Sequence, residues 1–439
     1  MDTRTTRRLG SFERAQALTA ELFAFNVVLV VRLDGLLASG VLRRALDEVQ
    51  RRYPLLRARI EGRGRRRRFE VEAPGEVESI PLRNVERSGL DAWQGFVEAE
   101  LGTGFDTEAG PLARCLRVGG ADGSASELVL TFHHMIVDAA SVLHVAQEIL
   151  HLCSPAAPME VPEPQDLPRS ADALFPPAFR APRRWPASLR FLAAQALDEI
   201  AFRWRSRGRP LPSLGGPVQC RILTLALTEE ESTAFVRATR RQRVGLYSAL
   251  SAAMLLAVVR RRYGDQAGFH RYFAFPLLRS YLSPPVAADV VAGYLTTMRK
   301  TLRVEPQEGL WHAAATIHQQ VDRAVKRGER FLASRWSAAS MTMLLRQPTR
   351  MGTTALNYAG SAGLEVGAES RFSVEGLHAF VTDFPRGPEY TGQSRIFKGR
   401  LWWDIVHLDA DMDREEARSV AEEMRRLVIA ATAEAMEKP

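Results

Sequence analysis

The sequence predicts an α/β protein of two or three domains, and three observations predict it. At 439 residues the chain is too long for one ordinary core, and 46% apolar with 25% charged residues is a globular composition. Apolar runs with strand character alternate with amphipathic helical stretches, which is an α/β grammar with mixed connections. That grammar occurs twice at similar length, on either side of a proline-rich stretch from about Cys153 to Pro217. The expected division is an N-terminal lobe over 1–155, a crossing linker with one helix over 156–217, and a C-terminal lobe over 218–439.

The elements follow in order. FNVVLVVRLDG, from Phe25 to Gly35, reads as a buried strand closed by an Asp-Gly turn. In SGVLRRALDEVQRRYP, Val41, Leu42, Ala45, Leu46 and Val49 share one helical face, Ser39 suits an N-cap and Pro54 stops the helix. LLRARIEGRGRRRRFEVEA reads as two strands joined by a basic turn, DAWQGFVEAELG as a helix, and LARCLRV and ELVLTFHH as strands. In the linker, ASLRFLAAQALDEIAFRWRSR is helical. The second lobe opens on the strand VQCRILTLALT and continues with the helices EEESTAFVRATRRQ and LYSALSAAMLLAVVRRRYG. Strands follow at HRYFAFPLL, AGYLTTMRKTLRV and GRLWWDIVHLD, and DREEARSVAEEMRRLVIAATAEAM closes the chain as a helix.

Composition narrows the function classes. No run of about eighteen uncharged apolar residues occurs, so no transmembrane segment is expected, and the N-terminus lacks the apolar stretch of a secretory signal. Cys115, Cys153 and Cys220 fit neither a disulfide framework nor a metal site, and suit a cytoplasmic protein. The net charge of +8 comes almost wholly from arginine, with lysine only at Lys300, Lys326, Lys398 and Lys438. Such a surface attracts acidic partners. No zinc spacing, RRM signature or basic heptad array accompanies it, so nucleic acid is not the expected partner, and an acidic carrier protein or a phosphate-bearing cofactor fits the charge.

The stretch LVLTFHHMIVDAASVLHVAQEIL passes from strand to helix through His133, His134 and Asp138. Neighbouring strand residues face opposite ways, so the two histidines cannot easily grip one ion, and no metal is expected. A neutral imidazole at a strand end can take a proton near pH 7. Asp138 could cap the helix it opens, or pair with an arginine. These three residues are the candidate catalytic set.

HHMIVDAAS resembles the HHxxxDG signature of the condensation-domain superfamily, which includes chloramphenicol acetyltransferase-like enzymes. LRRALDEVQRRYPLLRARI, HRYFAFPLLRSYLSPPVAADVVAGYLTT, TALNYAGSAG and FKGRLWWDIVHLDADMDREEARSVAEEM resemble its further blocks, in family order. The opening LGSFERAQ and PLLRSYLSPPVA look most similar to the polyketide-associated or alcohol acyltransferase branch. The resemblance implies two chloramphenicol acetyltransferase-like lobes in a V with a central tunnel. It implies a standalone acyltransferase of natural-product biosynthesis, making an ester or amide. His134 would act as base in the tunnel, and Asp138 would be structural, held by Arg279. The donor would be acyl-CoA or the acyl-phosphopantetheine arm of an acyl carrier protein, and the acceptor a small alcohol or amine. No tightly bound cofactor is implied, and a monomer is expected. The rival readings are a wax ester or diacylglycerol synthase and a non-catalytic carrier-recruiting module.

Two positions depart from the family pattern. Ala139 stands where the signature has glycine, and Leu356 stands where a serine precedes the family asparagine, here Asn357. Backbone amides from Ala139 to Ser141, at the helix start, are candidates to stabilise an oxyanion. Asn357 reads equally as a substrate contact or a turn residue. Arg65, Arg66, Arg67 and Arg68 read as a solvated hairpin turn or as a docking site for the carrier.

Overall fold

The structure, a computed structural model, describes residues 5–89, 91–119, 125–155, 163–180, 185–205, 219–367 and 369–437. Parts of the expected linker, and the expected start of the second lobe at 218, lie outside the described residues. The first half runs β1 (Thr5–Arg8), α1 (Ser11–Ala20), β2 (Asn26–Gly35), α2 (Ser39–Arg52), β3 (Ala58–Glu61), β4 (Arg68–Val71), β5 (Leu82–Glu86), α3 (Ala92–Gly102), β6 (Ala113–Gly119), β7 (Ala125–His133) and α4 (Ala139–Leu152). The linker contributes α5 (Pro177–Arg180) and α6 (Trp185–Arg205). The second half runs β8 (Cys220–Ala226), α7 (Glu229–Arg241), α8 (Leu246–Val258), β9 (Gly268–Ala274), β10 (Met298–Val304), α9 (Leu310–Lys326), α10 (Glu329–Leu344), β11 (Thr354–Ser361), β12 (Phe372–Val381), β13 (Tyr390–Phe397), β14 (Arg400–Leu408) and α11 (Arg414–Glu437).

The strands form three sheets, ordered β12-β2-β7-β6-β5, β10-β9-β11-β13-β14-β8 and β1-β4-β3. On one face of the first sheet, Val27, Leu29, Leu128 and Leu130 pack with Leu46 and Val49 of α2 and Val145 and Ile149 of α4. On the other, Val28, Val30 and Val129 meet Trp93, Val97 and Leu101 of α3. Strand β2 is thus covered on both faces, which is why NVVLVV is a continuous apolar run rather than an alternating one. Each such side chain contributes about 1.5–3 kcal/mol on burial. In the second sheet, Leu401, Trp403 and Ile405 face Met254 of α8, Ile317 of α9 and Met424 of α11. Helix α8 is buried all round from Ser248 to Val258, consistent with its unbroken apolar composition.

One strand crosses between the halves. β12, from the 218–439 stretch, pairs antiparallel with β2 from Phe372↔Gly35 to Val381↔Val27 and forms an edge of the first sheet. Its register shifts between Val374 and Gly376, a bulge that moves the inward residues from Phe372 and Val374 to Leu377, Ala379 and Val381. The phase change hides the strand from a search for strict alternation. Gly376 sits close there to the Arg32 side chain: a Cβ would lie 2.9 Å from Arg32 Cδ, so a larger residue would make that side chain shift.

Charged residues also join the halves. Glu98 of α3 binds Arg221 at 2.9 Å and Arg414 at 2.7 Å. The linker helix α6 docks on β9, where Arg271 pairs with Asp198 at 2.8 Å and Glu199 at 2.7 Å and lies over the Phe202 ring. Ser39 does not cap α2: the N-cap is Ala38, and Ser39 is the first helical residue. The cysteines are free and buried, and burial pushes each thiol up to about 12. No single helix among the described residues is long and apolar enough to cross a membrane.

Candidate active site

Between the two large sheets lies a cavity of about 1300 Å³, counted with its open mouths. Its walls come from β2 and β12 of the first sheet, β11 and β13 of the second, and α4 and α10. Most of its lining is apolar, including Phe25, Val27, Leu29, Phe273, Phe275 and Leu377.

His134 is half-buried and lines this cavity. Strand β7 ends at His133, and His134 begins a short 3-10 turn to Ile136, so the imidazole leaves the sheet instead of following its alternation. Its Nδ1 lies 3.4 Å from the Val137 carbonyl oxygen and its ring 5.1 Å from that of Phe25. With Nδ1–H donating to that carbonyl, Nε2 keeps its lone pair. Burial holds the imidazole below its ordinary value, so it is neutral at pH 7.

His133 points the other way. It is 1% exposed, its Nδ1 accepts from the Met135 amide at 3.1 Å, and burial lowers it to about 3. It is absent from the cavity wall, so its placement among the catalytic candidates is corrected: adjacent strand residues diverge, and this one faces the core.

Asp138 is the N-cap of α4, accepting from the Ser141 amide at 2.9 Å. It also accepts from the Tyr294 amide at 3.0 Å and from Arg279 Nε and Nη2 at 2.8 and 2.9 Å. The remaining Arg279 donors reach the Ser141 hydroxyl and the carbonyls of Ala287, Val290 and Ala292. A fully engaged, fork-shaped pair thus fixes the helix start and the loop that leads to it from His134.

Ser141 is not a cavity residue. Its amide serves Asp138, and its hydroxyl donates to the Ala292 carbonyl at 2.9 Å and accepts from Arg279 and the Ala292 amide. It is therefore withdrawn as a substrate contact, while Ala139 and Asn357 do line the cavity. Of the arginine turn, Arg67 is bound to Glu21, Arg68 forms a surface pair with Glu61 at 2.6 Å, and Arg65, Arg66 and Arg68 are all exposed.

Several polar residues of the wall escaped the sequence reading, among them Asp383, Gln393 and Arg395. Burial raises the Asp383 carboxyl to about 7, opposed by Arg350. Arg395 is held by Asp404 and the Leu377 carbonyl. Only the pairing of β11 with β13 and of β12 with β2 brings these residues to the cavity, and no local pattern announces it.

Two family models match consecutive parts of the chain: the condensation domain over residues 15–168, and the phthiocerol/phthiodiolone dimycocerosyl transferase C-terminus over residues 216–360. The chain thus resembles a condensation domain in its first part and that transferase C-terminus in its second, neither model spanning half of it. Chondramide synthase of Chondromyces crocatus is 30% identical over 165 residues, which is 35% of this chain and 4% of that protein. Nonribosomal peptide synthetase 5 of Gibberella zeae is 30% identical over 132 residues, 29% of this chain and 1% of its own. The chain thus matches only a small part of these relatives' length. Among solved structures, polyketide synthase associated protein 5 of Mycobacterium tuberculosis superposes with a TM-score of 0.70 at 16% identity, covering 98% of both chains. Trichothecene 15-O-acetyltransferase of Fusarium sporotrichioides superposes with a TM-score of 0.77 at 13% identity, covering 98% of this chain and 97% of that one. The fold is therefore that of condensation-domain and acyltransferase structures.

Proposed function

We propose that this condensation-domain-like chain is an acyltransferase of natural-product biosynthesis. It transfers an acyl group from a thioester, borne on coenzyme A or a carrier protein, to a hydroxyl or amine acceptor. The observation that carries the reading is His134: a neutral imidazole on the wall of an apolar cavity between two sheets, with Nδ1 turned to a backbone carbonyl.

The acceptor gives its proton to Nε2 of His134 as its oxygen or nitrogen attacks the thioester carbonyl carbon. The carbonyl electron pair moves to oxygen. Collapse restores the C=O bond and breaks the C–S bond, and the imidazolium returns the proton to the departing sulfur. Base catalysis of this kind supplies roughly 10²–10⁴ in rate. Asp138 and Arg279 hold the loop and take no part in proton transfer. The first-turn amide of Ala139, beside the cavity, is the candidate oxyanion donor, since the Ser141 amide is already engaged. The thioester is a substrate, so the scheme has no resident cofactor. An apolar wall suits an apolar acyl chain.

Mass analysis of reactions that pair acyl-CoA, acyl-pantetheine and acyl-carrier donors with alcohol and amine acceptors tests the reading. An ester or amide that needs both partners and His134 is expected. Donor consumption by hydrolysis alone across the panel would overturn it.

A further inference from the structure

Alternate residues of a strand share a face. On β13 these are Thr391, Gln393 and Arg395, and on β11 they are Ala355, Asn357 and Ala359; all six line the cavity. The two strands run parallel, and their register sets Asn357 directly beside Gln393. Adjacent strands lie about 4.8 Å apart, so two side-chain carboxamides stand next to each other on the wall. Gln393 is 8% exposed, and among the described residues neither amide has a hydrogen-bond partner. On its other side Gln393 is in register with Asp404. That carboxylate is already taken: it bonds His378 Nδ1 at 3.0 Å and accepts from the Ala379 amide at 2.8 Å and from Arg395. Gln393 therefore turns to the cavity.

Neither carboxamide has a protein partner, so in the open cavity both are left to water or a ligand, and a ligand that displaces that water must return its hydrogen bonds. The pair is thus shaped to be completed by whatever enters. We infer that Asn357 and Gln393 form a rung that hydrogen-bonds a secondary amide of the acyl donor's pantetheine arm. The inference rests on the acyltransferase reading and deepens it.

The chemistry selects an amide. A carboxamide offers both acceptors and donors, and a secondary amide returns one N–H and one C=O. A phosphate or carboxylate brings acceptors only and calls for a cation. Among the described residues of the wall, the cation beside the rung is Arg395, and it is spent on Asp404 and the Leu377 carbonyl. A hydrocarbon chain leaves the rung unsatisfied. Pantetheine carries two secondary amides, and they are the same whether the arm ends in coenzyme A or in a carrier protein.

The test is a binding cycle that needs no turnover. S-octyl pantetheine, an unreactive thioether, is compared with its analogue in which both amides are replaced by esters. Wild type should bind the amide compound about tenfold more tightly, the worth of one good hydrogen bond. Gln393→Leu and Asn357→Leu should each weaken the amide compound about 5–20-fold and reduce the amide preference to about twofold. Gln393→Glu, of the same shape and still an acceptor, should keep an intermediate preference and guards against a packing artefact. The same S-octyl group on coenzyme A and on a carrier protein separates the two sources, and the leucine variants should weaken both. Equal affinity of wild type for amide and ester overturns the inference, and so does an equal loss on both ligands in the variants, which would mark a packing role. If acyl pantetheine is turned over without an amide preference, the rung is wrong and the proposed function stands. If the preference exists but no donor is turned over, the rung stands as a pantetheine site and acyl transfer falls.

Discussion

Asp138 and Arg279 should behave as one unit. Asp138→Asn keeps an oxygen to accept from the Ser141 amide but removes the charge facing a guanidinium bound at 2.8 and 2.9 Å. Breaking one side of a buried pair costs about 3–5 kcal/mol, because the surviving charge is left uncompensated. Both survivors here keep some partners. Arg279 would retain the Ser141 hydroxyl and carbonyls of the loop from Ala287 to Ala292, and Asp138 would retain the amides of Ser141 and Tyr294. The expected cost is therefore the lower end, about 3 kcal/mol for Asp138→Asn and about 3 kcal/mol for Arg279→Ala. The double variant should lose about 3–4 kcal/mol, a coupling of roughly 2–3 kcal/mol. Urea unfolding followed by tryptophan fluorescence reads all four corners. Costs that add to within about 0.5 kcal/mol would refute the argument, since independent sites behave that way.

Three further outcomes follow from the same geometry. His133 is held neutral at about 3 in the fold but titrates near its ordinary value when unfolded, so acid favours the unfolded chain below about pH 6.5. At pH 5 this costs about 2 kcal/mol, and His133→Gln should be visibly less acid-sensitive than wild type in melts at pH 5 and 7. Asp383 has the opposite sign: its folded value, about 7, lies above the unfolded one, so ionisation costs stability as pH rises through 7. Asp383→Asn should melt above wild type at pH 8.5, with the advantage gone by pH 4; an unchanging gap would contradict this. If an acidic carrier docks on the basic turn, Arg65→Gln with Arg66→Gln should raise the KM for a carrier-bound donor, more so at low salt, and leave kcat and a free pantetheine thioester untouched. Equal losses on both donors would exclude docking there.

Much of the frame is readable along the chain. The strand β7, the turn at His134 and the helix α4 come from local alternation, a strand end and a capping aspartate. The paired sheets of the second half were only partly readable. β12 changes phase at the Gly376 bulge, and β13, with the sequence TGQSR in its middle, carries polar residues inward because they face a cavity rather than a core. Ser141 shows the converse: a serine at a helix start beside a catalytic candidate reads as an open donor, yet the Arg279 fork and Ala292 consume it. Nor does local sequence reveal that Glu21 and Glu61 reach Arg67 and Arg68 of the basic turn. Site residues that depend on which distant strands become neighbours leave no local signal.

The most direct test of the account is the kcat/KM for acyl-pantetheine and a productive acceptor, measured from pH 5 to 8 for wild type and His134→Ala. The account predicts a wild-type rate that is full at pH 7 and falls only on an acid limb lying below the ordinary imidazole range, because burial disfavours the imidazolium. It predicts a loss of roughly 10²–10⁴ in the variant with its melting temperature nearly unchanged. A folded His134→Ala protein that keeps the wild-type rate would contradict it.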